Sequence, residues 1–155
     1  MPMGSLSTGD FGILHDGFVG YQIYKTHRVI SRGLEAKLSP FGITPNQWNA
    51  LNQLDRRGPL SQKQLSEALQ KEQATITRSL DTLEKKGLIE RNPDPRDRRA
   101  NVISLTPAAV DLLSRIEPVA EAAAEEVVRG ISEEELDSLR TTLEKLRRNI
   151  DPSGE

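Results

Sequence analysis

Apolar residues return every three or four positions along most of this chain, the repeat expected of helices with one buried face. Ile23, His27, Ile30, Leu34 and Leu38 mark the first such stripe, predicting a helix from about Asp16 to Leu38 that Pro40 and Gly42 bring to an end. Thr44-Pro45-Asn46-Gln47 opens a second helix, with Thr at the N-cap, Pro at the first helical position and Gln where it reaches back to the cap. That helix carries Trp48, Leu51 and Leu54 inward and stops at Gly58-Pro59. Ser61-Gln62-Lys63-Gln64 is another capping box, with Leu60 and Leu65 placed as a hydrophobic staple. A helix over Gln73–Lys86 turns Ile76, Leu80 and Leu83 to the core. Gly87 ends it in the left-handed conformation, folding Leu88 back on Leu83.

The period then shortens to that of strands. Leu88–Asn92 and Asn101–Leu105 flank a turn reading Asp94-Pro95-Arg96-Asp97-Arg98-Arg99, making a two-stranded wing that must pack on helices to be stable. Thr106-Pro107 caps a fifth helix with Val110, Leu113, Ile116, Ala120, Ala123 and Val127 as its stripe. Ser132-Glu133-Glu134-Glu135 is a third capping box, stapled by Ile131 and Leu136. In the last helix Leu136, Leu139, Leu143, Leu146 and Ile150 follow a heptad-like seam. The expected fold is mainly α: a winged helix-turn-helix lobe at about 44–106, with helices at about 16–38 and 107–148 forming a dimerisation region. Residues 16–148 are read as a single domain, 1–15 as a mobile leader and 149–155 as a tail.

Composition narrows the chemistry. Aromatics are 4% of the 155 residues, so the core must be built from Leu, Ile, Val and Ala, which suits packed helices. With no Cys, disulfides, thiolate metal sites and a cysteine redox switch are excluded. His15 and His27 lack carboxylates at ligand spacing, so no metal site is expected. No Gly-rich phosphate loop or recognisable nucleophile motif is present, and no catalytic residue or cofactor is expected. No apolar run approaches the roughly 20 residues of a membrane span, and Met1 to Gly12 lack the features of a signal peptide, so a cytoplasmic protein is expected.

Net charge is −2, but its distribution is uneven: residues 1–106 carry 15 Lys/Arg against 11 Asp/Glu, and residues 107–155 carry 6 against 12. Positive charge gathers where a helix-turn-helix precedes a basic hairpin, the arrangement that places a helix in the major groove of double-stranded DNA with an arginine tip beside it. Gln73, Thr75, Thr77 and Arg78 open the candidate recognition helix. Gln suits adenine, Arg suits guanine, and a Thr methyl can meet the thymine methyl. Ser61 and Gln62 start the supporting helix, whose free amides suit a phosphate. Arg96, Arg98 and Arg99 at the hairpin tip fit the narrow, electronegative minor groove. Lys71, Lys85, Lys86 and Arg91 are read as general electrostatics or phosphate contacts. A winged-helix module that binds protein rather than DNA is the alternative, although it has little use for three arginines at the tip.

The order Thr-Pro-x-Gln-Trp, Leu-Ser-Gln-x-x-Leu, Thr-Ile-Thr-Arg-x-Leu-x-x-Leu-Glu-Lys-Lys-Gly-Leu-Ile-Glu-Arg, Asp-Pro-x-Asp-Arg-Arg, Leu-Thr-Pro resembles the MarR family of winged-helix transcriptional regulators. The resemblance covers about residues 16–148 and is most specific over Thr75–Arg91 and Asp94–Thr106; Ala109 departs from it where relatives often have Gly. It implies an obligate homodimer, a palindromic operator, and repression relieved by a small ligand. It further implies that Asp97 pairs with Arg99 and shapes the wing without touching DNA. Effectors of such proteins often bind between the dimer helices and the DNA lobe, where His27, Arg28 and Trp48 could hold an aromatic carboxylate or phenol, although core packing is the favoured reading of His27 and Trp48.

Overall fold

The computed structural model describes residues 18–152, so the leader expected over 1–15 and the helix start expected at Asp16 lie outside the described residues. Six α-helices are described: α1 (Val19–Leu38), α2 (Pro45–Arg57), α3 (Gln62–Leu69), α4 (Gln73–Lys85), α5 (Pro107–Val128) and α6 (Glu133–Ile150). Strands β1 (Leu60–Ser61), β2 (Ile89–Pro93) and β3 (Asn101–Leu105) join them. By compactness the chain divides into a unit ending at Ala123 and a second beginning at Ala124, inside α5. No helix among the described residues is long and apolar enough to cross a membrane.

All three capping boxes form reciprocally. The Thr44 hydroxyl accepts from Gln47 N–H at 3.2 Å while the Gln47 side chain accepts from Thr44 N–H at 3.1 Å. The Ser61–Gln64 pair closes at 3.1 and 2.9 Å, and Ser132–Glu135 at 3.2 and 2.8 Å. The Ser132 N–H, and then its hydroxyl, hold the Glu135 carboxyl below its ordinary range, because both bonds favour the ionised form. At the end of α4, Gly87 sits at φ +71°, and Leu88 N–H reaches the Leu83 carbonyl at 3.0 Å, a Schellman closure that turns the chain into β2.

The core of the first unit is enclosed by Leu38, Leu51, Leu65, Leu80, Leu83, Ile89, Ile103 and Ile116. These come from α1 to α5 and the sheet, so the small sheet is held by helices on which it packs. Trp48 is half-buried against this cluster.

Three expectations change. The sheet is three-stranded, in the order β1-β3-β2, because Leu60 and Ser61 pair antiparallel with Ile103 and Val102. Leu60, read as a staple residue, is also a strand residue, which satisfies backbone groups on the outer edge of β3. The buried face of α5 is Ala109, Leu112, Leu113 and Ile116, rotated from the expected stripe, and Val110 is 52% exposed. On α1 only Leu38 is buried; Ile23 and Ile30 remain exposed.

The turn between α3 and α4 contains Gln70 in the left-handed region at φ +51°, where a Cβ crowds the backbone. Gln70→Gly should therefore stabilise the fold by about 0.5–1 kcal/mol, the relief of that strain less the greater freedom of glycine when unfolded. Urea titration checks this, and a destabilised variant would contradict it.

Candidate nucleic-acid interface

Helix α4 turns Ile76, Leu80 and Leu83 into the core. At about 100° per residue, Arg78 falls almost opposite that stripe, and both Arg78 and Gln73 are exposed. The two threonines flank this outer face and are half-buried. Thr75 lines a small cavity with Asn46, Asn49 and Ser79. Thr77 lies on the opposite flank, where its hydroxyl donates to the Gln73 carbonyl at 2.8 Å and accepts from Gln62 Nε2 at 2.6 Å. The four residues nominated on α4 thus divide into two that project and two that lean on neighbours.

Ser61 and Gln62 stand at the start of α3 as expected, but their side chains already have partners. The Ser61 oxygen caps Gln64, which leaves its O–H available as a donor. Ser61 lines an open groove together with Gln64, Asp94 and Arg96, so the start of α3 and the flank of the wing share one concave surface. The bond from Gln62 to Thr77 was not foreseeable from spacing, since 15 residues separate the pair.

The wing tip is shaped by two aspartates. Asp94 accepts from Arg96 N–H at 2.8 Å, and Asp97 accepts from Arg99 N–H at 2.9 Å. Both are Asx turns, in which a carboxylate substitutes for a backbone acceptor. Asp97 therefore engages Arg99 through its main chain. Across the loop, Asp94 N–H meets the Ala100 carbonyl at 2.9 Å. The side chains of Arg96, Arg98 and Arg99 are exposed. The role of Asp94 was missed, although an Asp directly before Pro95 is a recognisable turn signal.

Arg91 and Lys86 do not project as free cations. Arg91 Nη2 lies 2.6 Å from Asp81 Oδ1 and its Nη1 lies 3.6 Å from Glu84 Oε2, joining β2 to the side of α4. Its side chain is 21% exposed, and its Nε is buried without a hydrogen-bond partner. The ion pair fixes the wing strand against the recognition helix. Lys86 donates to the Gly42 carbonyl, tying the end of α4 to the turn between α1 and α2.

His27, Arg28 and Trp48 have separate surroundings. His27 is exposed and 3.4 Å from the Ser31 hydroxyl. The Arg28 guanidinium lies 5.6 Å from the centre of the Tyr24 ring. No hydrogen bond or ring contact among the described residues links Trp48 to either.

A family model described as the MarR family matches residues 43–100, which span α2 to the wing. A probable transcriptional regulator from Pseudomonas aeruginosa is 30% identical over 84% of this chain and 98% of its own, with a TM-score of 0.78. A mutant of MarR from E. coli complexed with operator DNA is 26% identical, covering 83% of this chain and 92% of the other, with a TM-score of 0.78. MepR from S. aureus in a DNA complex is 26% identical over 86% of this chain and 99% of the other, with a TM-score of 0.81. Sequence likeness and fold likeness therefore agree over most of the described residues. The chain belongs to the MarR family of winged-helix transcriptional regulators.

Proposed function

We propose that the protein acts in the cytoplasm as a homodimeric repressor that binds a palindromic operator in double-stranded DNA. One observation carries the reading: Arg78, exposed on the outer face of α4, and Gln73, exposed at the start of that helix, stand in the same unit as a hairpin tipped by Arg96, Arg98 and Arg99. A helix face able to read base edges beside an arginine tip able to enter the minor groove is a DNA-reading pair. The shared groove of Ser61 and Arg96 adds a hydroxyl and a guanidinium suited to phosphates. MarR and MepR, both seen with DNA, have the same fold.

Dimerisation is supported by apolar side chains left uncovered on three helices, each taken separately. Ile23 and Ile30 on α1, Val127 on α5, and Leu139 and Ile150 on α6 are all exposed in the single chain. A two-fold dimer presents two reading helices to half-sites about one helical turn apart. Repression, and its release by a small aromatic or phenolic ligand, rest on the family resemblance. They do not rest on a pocket formed by His27, Arg28 and Trp48, whose side chains have other neighbours.

Selecting bound duplexes from a random pool, then titrating the winner with salt, tests this reading. A palindromic consensus with affinity falling steeply in salt supports it. No enrichment, or binding indifferent to salt, would overturn it and favour a protein partner. Within the same assay, Arg99→Ala should weaken binding to all sequences alike and lower the salt slope by about one. A changed consensus at the half-site core would contradict the separation between wing and helix.

A further inference from the structure

Hydroxyl groups on a helix commonly donate to the carbonyl one turn back, as Thr77 and Thr82 do on α4. Thr75 and Ser79, half-buried on the flank of α4 away from Thr77, make no side-chain hydrogen bond among the described residues. They line a cavity together with Asn46 and Asn49, which share one face of α2, and Lys71 in the turn before α4. Asn46, Asn49 and Lys71 are exposed, and their side chains also have no hydrogen bond or ion pair among the described residues. Five side chains able to donate thus surround one concavity, and no carboxylate among the described residues lines it. Lys71 is held in place there. Its N–H reaches the Ser66 carbonyl at 3.1 Å, and its own carbonyl accepts from the buried Ser66 hydroxyl. The cavity measures about 30 Å³, room for a water or one anionic oxygen and too little for a whole small-molecule ligand.

We propose, on the reading of α4 as the recognition helix, that this cleft between α2 and α4 seats a phosphate oxygen of the DNA backbone. A helix with its side chains is about 10–12 Å across, and the major groove is about 12 Å wide. A helix lying in that groove therefore has a sugar-phosphate strand along each flank. Gln62 bonds Thr77 on one flank, and the cleft occupies the other. An anionic phosphate oxygen accepts several hydrogen bonds at once, so it matches a concavity in which every polar side chain can donate. Lys71 supplies the countercharge, and Asn46 stands in the first turn of α2, where the helix dipole favours an anion. Contact at a fixed concavity sets the register of α4 along the groove and carries no base preference of its own. Thr75 is thereby a backbone contact, not a reader of bases.

The test uses the full-length protein and the duplex it selects from a random pool. Each phosphate of that duplex is replaced singly by methylphosphonate, which keeps the linkage but removes the charge and one anionic oxygen. The variants Asn49→Ala, Ser79→Ala and Lys71→Gln are put through the same scan. Among the phosphates whose replacement weakens the wild type, one should cost about tenfold, the worth of a hydrogen bond to a charged group. All three variants should bind the unmodified duplex less tightly, keep its base consensus, and lose most of the penalty at that same phosphate. Lys71→Gln should also lower the salt slope by about one. Alanine is the better helix former at positions 49 and 79, so these two variants should keep the fold. A purely structural role predicts weaker binding or a lower melting temperature, with every phosphate penalty unchanged.

Three outcomes overturn the proposal. The first is a set of variants that keep every penalty of the wild type, which would leave the DNA-binding reading intact and the cleft to water. The second is a loss of penalty at a different phosphate in each variant, since a single seat requires one shared partner. The third is a wild type that selects no duplex at all, which would defeat the DNA-binding reading together with the proposal.

Discussion

Replacing Leu80 by alanine should destabilise the protein by about 2–5 kcal/mol, the cost of removing a buried leucine and leaving a partly collapsed cavity. Leu80 is 0% exposed and lies midway along α4, between Ile76 and Leu83 on the face that seats the helix on the core. Its neighbours in the cluster come from several elements, so the cavity cannot close by moving one of them. A loss of this size is a large share of the ~5–15 kcal/mol that holds a typical domain together. Urea unfolding measures it through a lower midpoint. A loss below about 1 kcal/mol would mean that α4 is not seated by this residue. DNA affinity should fall only with the folded fraction, and should recover under conditions that restore the fold.

Arg78→Ala should do the reverse. Arg78 is exposed, lies opposite the buried stripe, and forms no ion pair among the described residues. Its loss should change stability by no more than about 0.5 kcal/mol, as is usual for surface substitutions. Specific binding should weaken by ~1–3 kcal/mol, with relaxed preference at one base position in each half-site. Competition binding against the selected duplex and single-base variants of it reads both quantities. Normal affinity with an unchanged consensus would remove Arg78 from base reading. Together, the two substitutions separate the inner and outer faces of one helix, one by melting and the other by binding.

The helices were legible in the sequence to the extent that their signals are local. Capping boxes act over three residues, so Thr44–Gln47, Ser61–Gln64 and Ser132–Glu135 announced themselves and form as written. The Gly87–Leu88 closure is likewise local. What escaped was settled between segments far apart in the chain. The pairing of Leu60 with Ile103 spans α3, α4 and β2, and two residues are too few to show a strand period. Arg91 looked like a free cation because its own neighbours in sequence do not reveal Asp81 on the side of α4. On α5 the small Ala109 hid the true phase of the buried face, since alanine is a weak marker beside Val110. The candidate interface was legible as a set of residue types; the sharing of Thr77 between Gln73 and Gln62 was not.

Ser61 closes the pairing of β1 with β3 and, in the same residue, caps α3. The chain therefore has no slack between wing and helix at this point. A residue inserted between Leu60 and Gln62 would shift either the strand register, turning Leu60 outward, or the cap, unwinding the first turn of α3. The loop from Asp94 to Ala100, by contrast, is bounded by its own turn bonds and has exposed arginines at its end. Changes of length that diversify such a regulator can accumulate at the tip of the hairpin while its root stays the same length. For an engineer the design rule is plain: graft or extend the wing at its tip, and leave the junction at Ser61 untouched.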